Sequence, residues 1–124
     1  MLRPLVAVDL NSRIDYLTLY KFMEGLLKKF KVVDTVFIMD DKSIVEIDEN
    51  KVFRVSDSYS FVEVVRNLKE LSEKKGTLDL KSLIMLQKEL GRSLVVLVSN
   101  RKARSLGNLL IVFDGKKVKT LAGN

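Results

Sequence analysis

Three runs rich in Val, Leu and Ile, at residues 5–9, 94–98 and 109–113, stand among stretches of helical periodicity. Together they predict a three-layer α/β/α domain with a mostly parallel sheet. Runs this apolar leave no face for water, so all three are expected as adjacent, parallel, central strands. An Asp114-Gly115 pair after the last run adds an antiparallel hairpin, with Lys117 to Leu121 returning as a lysine-bearing edge strand. At 124 residues, the chain is long enough for one core, and a single domain over residues 1–124 is expected.

Taken in order, the first strand ends on Asp9, and a helix is predicted from Ile14 to Phe30. Its apolar positions Ile14, Leu17, Tyr20, Met23, Leu27 and Phe30 recur at helical spacing, and Ser12 with Asp15 form a capping box. Val36–Met39, Ile44–Ile47 and Val52–Val55 read as short strands separated by turn-forming acidic stretches, hence an antiparallel meander. Ser60 and Glu63 open a second helix carrying Phe61, Val64, Val65, Leu68 and Leu71, with Gly76 as its left-handed cap. A third helix runs from about Asp79 to Leu90 and is closed by Gly91. Met23, Met39 and Met85 fall in apolar patterns and are assigned to the core.

Composition removes much chemistry. The chain has no Cys and no His, which excludes disulfides, thiolate zinc sites, imidazole bases and Ser-His triads. It is 47% hydrophobic and 31% charged with one Pro, as in a folded globule. No apolar stretch approaches a membrane span or a signal peptide, so a cytoplasmic address without membrane association is expected. Abundant Lys and Glu without Cys would suit a thermophile. The net charge is +6, yet residues 99–124 hold six basic side chains and one acidic, so nearly all the excess is C-terminal. Arg101, Lys102 and Arg104 form one cluster and Lys116, Lys117 and Lys119 another. They invite an anionic partner, although short basic loops are commonly just solvated.

The most informative stretch is Val6-Ala7-Val8-Asp9-Leu10-Asn11-Ser12-Arg13, an apolar strand that delivers a carboxylate to its tip and turns into a helix. The element order and this motif resemble the von Willebrand factor type A domain, a Rossmann-like fold, across most of the chain. That family builds a metal-ion-dependent adhesion site from Asp-x-Ser-x-Ser, a Thr in a Gly-Thr loop, and a later Asp. Asp9 matches the leading Asp, while Asn11 and Arg13 fall on the two Ser positions. Gly76-Thr77 resembles the Gly-Thr loop, and Asn100 falls on the later Asp. Only Asp9 and Thr77 keep the family's residues, and Arg13 brings a positive charge where Mg²⁺ wants oxygen ligands. The resemblance therefore implies a degenerate site without metal. Such a site would still gather amides and cations around a partner's anionic group.

Asp9-x-Asn11 with Val98-Ser99-Asn100-Arg101 also resembles a PIN-type ribonuclease, whose clustered acids hold divalent metal against phosphate. PIN domains fill with helices the region that reads here as strands, so that family is the alternative, as nuclease or inactive nucleic-acid-binding relative. Asp40, Asp41, Asp48 and Glu49 read as turn chemistry rather than metal ligands, and Tyr16, Tyr20 and Tyr59 are too scattered to stack bases. Gly76 and Gly107 stand alone, so no phosphate loop exists. The expected function is a non-enzymatic protein-interaction module with neither cofactor nor catalytic residue. Its binding residues are Asp9, Asn11, Arg13, Thr77, Asn100, Arg101 and Arg104, with Asp9 orienting Arg13.

Overall fold

The computed structural model describes residues 4–40, 43–71, 78–102 and 110–121. Its elements run β1 (Leu5–Asp9), α1 (Tyr16–Phe30), β2 (Val33–Met39), β3 (Ser43–Ile44), β4 (Phe53–Val55), α2 (Ser58–Lys69), α3 (Lys81–Leu90), β5 (Val95–Val98), β6 (Leu110–Phe113) and β7 (Val118–Leu121). The sheet order is β3-β2-β1-β5-β6-β7, with β4 also on β2. β1 pairs in parallel with both β2 and β5, and β5 pairs in parallel with β6. The three apolar runs are thus adjacent and parallel, as their composition predicts.

Alternation along the strands sends side chains to two cores. Val6, Val8, Val96 and Val98 join Leu19 and Met23 of α1 and Phe61, Val62 and Val65 of α2 on one face. Leu5, Ala7, Val95 and Leu97 join Leu83, Ile84 and Leu86 of α3 on the other. Helices therefore cover both faces of the sheet. Each fully buried Val or Leu stabilises this arrangement by about 1.5–3 kcal/mol.

The segment after β2 differs from a meander. β3 and β4 both pair antiparallel with β2, and continuing the β3 register would set Thr35 opposite Ile47, whereas Thr35 pairs with Phe53. A six-residue finger is therefore looped out of one edge strand. Its tip is a type I′ turn, with Asp48 at φ 52° and Glu49 at φ 66° between mutually bonded Ile47 and Asn50. These acids serve the turn, as read. The Ile44–Ile47 strand shrinks to Ser43–Ile44 because the finger leaves the ladder there.

Helix starts also move. The Asp15 carboxylate accepts the Thr18 N–H at 2.7 Å and is the N-cap of α1, so Ser12 is not the cap and Ile14 is buried ahead of the helix. Asp57 likewise takes the N-cap of α2 from Ser60, whose N–H and hydroxyl both donate to it. A carboxylate accepts these amides more strongly than a hydroxyl does. Gly91 closes α3 at φ 65°, as expected, whereas the Gly76 cap lies outside the described residues. Met23 is fully buried, but Met85 is 64% exposed, as is Leu17. Those two positions of the helical period fall beyond the narrow stripes the sheet covers.

Candidate functional site

The strand order reverses between β1 and β5, which is where open α/β sheets expose a crevice at their carboxyl ends. Asp9 occupies that point and is buried. Its Oδ1 accepts the Asn11 N–H at 3.0 Å, and its Oδ2 accepts the Ser99 hydroxyl at 2.6 Å. Arg101 grips the same carboxylate with both prongs, Nε to Oδ2 at 2.6 Å and Nη2 to Oδ1 at 2.7 Å. A carboxylate offers about four lone-pair sites. Described residues fill that many.

The guanidinium is itself fixed. Arg101 Nη2 also donates to the Asp40 carbonyl at 2.8 Å, and the Arg101 N–H donates to Ser99 Oγ at 3.0 Å. The Arg101 side chain is 11% exposed and that of Asp9 is fully buried. The ends of β1, β2 and β5 are thereby joined around one charge pair. Fork geometry of this kind is the condition under which a buried ion pair repays its desolvation.

The cation on Asp9 is therefore Arg101 and not Arg13, which corrects the sequence expectation. The Arg13 side chain is exposed, and its backbone N–H donates to Asn100 Oδ1 at 3.0 Å. Arg13 and Asn100 thus tie two edge loops together. The Asn11 side-chain Oδ1 is buried without a partner among the described residues. Thr77 and Arg104 lie outside the described residues.

One neighbour had no signal in the motif. Lys69, at the end of α2, donates to the Ser12 carbonyl at 2.8 Å and lies over the Tyr16 ring beside Arg66. Burial pushes its ammonium below the ordinary lysine range, and the charge of Asp9 works the other way. Helical spacing shows only that Lys69 follows Leu68, so a long-range contact of this kind is invisible in sequence.

Beyond β5 and β6 the edge opens into a cavity of about 440 Å³ lined by Ser99, Asn100, Arg101, Lys102, Val112, Asp114, Lys116 and Lys119. Arg101 and Lys102 of one basic cluster of the sequence and Lys116 and Lys119 of the other meet here. Asp114 Oδ1 accepts the Lys116 and Lys117 N–H groups at 3.0 and 2.9 Å, which builds the β6–β7 turn with Gly115 at φ 96°. Backbone hydrogen bonds from Lys117 and Lys116 hold the Asp114 carboxyl below its ordinary range.

The residues present do not fit a Mg²⁺ site. Among the described residues no three acidic side chains converge, and the coordinating oxygens of Asp9 are spent on a guanidinium. Comparison with protein-family models, with curated proteins and with solved structures finds no match.

Proposed function

We propose that this chain is a non-enzymatic protein-interaction module that docks through the carboxyl edge of its sheet without metal. The observation that carries the reading is the saturated Asp9 carboxylate. Gripped by Arg101, Ser99 and the Asn11 amide, it has no lone pair left to act as a base or a metal ligand. What the edge still offers is shape and charge. The same edge carries Arg13 and Asn100, tied together, and Lys102 beside Arg101, and the resemblance to the von Willebrand A family supports this edge as the contact surface.

A photo-crosslinking amino acid placed at exposed Arg13, ahead of α1, in extract of the native host, tests this against the same group at exposed Lys28 in the last turn of α1. Capture of one protein from the Arg13 position alone, unchanged by chelator, is expected. Capture that requires Mg²⁺, or equal capture from Lys28, would overturn the proposal. The second reading, an inactive nucleic-acid-binding relative, is favoured by the cationic cavity. It predicts crosslinks to RNA or DNA and binding that weakens steeply with salt.

A further inference from the structure

We infer that the cavity between the β5 and β6 ends and the β6–β7 turn receives a run of acidic side chains from the protein partner; this rests on the interaction-module reading. The first argument is charge. Arg101, Lys102, Lys116 and Lys119 line the cavity, and the only carboxylate lining it among the described residues is Asp114. Among the described residues, even with Asp9 counted behind Arg101, four cations stand against two carboxylates, and three of the four are lysines. Lys119 stands 3.9 Å from Asp114 and is half-exposed, so this pairing is weak and can be exchanged for an incoming anion.

The second argument is the kind of donor left over. Phosphate sites are usually cradled by backbone N–H groups. Here three of the nearby amides are already used, the Arg101 N–H on Ser99 and the Lys116 and Lys117 N–H groups on Asp114. The charged donors of Lys102, Lys116 and Lys119 are ammonium groups on flexible stems, which act as point charges and suit separate carboxylates better than one cradled phosphoryl group. Lys102 is nonetheless well placed, because its carbonyl accepts the Leu78 N–H at 3.1 Å while its side chain is exposed.

The third argument is against nucleic acid. No aromatic side chain lines the cavity among the described residues, so bases would have nothing to stack on. Phe113, beside Asp114 at the end of β6, is stacked on Phe22 with ring centroids 4.4 Å apart, and Tyr16 lies beneath Arg66 and Lys69. A cavity of about 440 Å³ matches a few side chains rather than a strand-length track.

The test is fluorescence anisotropy of a labelled octaglutamate peptide with the full chain, beside a uridine octamer and inorganic phosphate as competitor. Replacing Lys102, Lys116 and Lys119 with Gln is expected to weaken peptide binding at least about tenfold. The same change at Lys28, Lys29 and Lys31, on the end of α1, is expected to leave binding nearly unchanged. Equal losses in the two triple variants, no binding of the peptide, tighter binding of the RNA, or displacement of the peptide by millimolar phosphate would each overturn the inference. If the Arg13 crosslink persists in that event, the module reading survives and only the acidic partner fails.

Discussion

The cation on Asp9 decides how the carboxyl edge behaves. Replacing Arg101 with Met leaves a buried carboxylate held, among the described residues, by Ser99 and the Asn11 amide, and breaking such a pair costs roughly 3–5 kcal/mol. Urea unfolding of Arg101→Met should show that loss. The double variant Asp9→Leu with Arg101→Met should recover much of it, since no charge is then stranded. A loss under about 1 kcal/mol for the single variant would mean that the pair is not formed in solution. Neither the pair nor its geometry was legible in the motif. The sequence spacing placed Arg13 nearest, but the strand ends bring Arg101 across from β5, a pairing that depends on sheet order rather than on distance along the chain.

A second charge cluster lies at the opposite end of the sheet. Burial works to raise the Asp34 carboxyl, but the hydrogen bond and charge of Arg92, aided by Arg54, outweigh it and hold the group below its ordinary value. A carboxylate depressed on folding contributes stability above the unfolded value near 3.8, and that contribution is lost as pH falls through the folded value. Asp34→Asn should therefore be less stable at neutral pH and have a flatter acid limb in stability measured from pH 7 to 2. Asp15, Asp57 and Asp114 are shifted in the same direction by amide hydrogen bonds, so part of the slope should remain. An unaltered acid limb would show that Asp34 is not paired.

Turns and caps behave differently although both use glycine. Gly91 is left-handed at φ 65° with open space where a Cβ would go, so Gly91→Ala should cost only about 1 kcal/mol. Gly115 sits at φ 96°, and a Cβ there would press on Ile14 at 3.4 Å. Gly115→Ala should therefore cost more, roughly 1–3 kcal/mol, as judged by the shift in unfolding midpoint. The reverse order would refute the turn geometry. Central elements were the most legible, because a strand buried on both faces needs an unbroken apolar run. The edge was not: six residues looped out between β3 and β4 carry the same turn-forming composition as an ordinary hairpin loop, so the meander expectation had no internal contradiction. Caps shifted by a few residues because Asp15 and Asp57 each outcompete a neighbouring serine.

For the whole molecule, the C-terminal charge excess acquires a location. Arg101 and Lys102 are separated in sequence from Lys116 and Lys119 but line one cavity with them, because β6 runs parallel beside β5 and β7 folds back antiparallel on β6. The sequence announced the charge; only the topology shows that it converges. The same topology gathers Asp9, Ser99 and Arg101 at the point of reversal, so the Asp9 site and the cationic cavity share one edge and two residues, Ser99 and Arg101.

Calorimetric titration of Mn²⁺ into the wild-type chain tests the metal-free edge most directly. Arg101 occupies the carboxylate that a divalent ion would need, and at about 4 Å two such cations repel by several kcal/mol at intermediate effective dielectric. The titration should show no binding heat beyond dilution. A stoichiometric Mn²⁺ isotherm that Asp9→Ala abolishes would contradict the account.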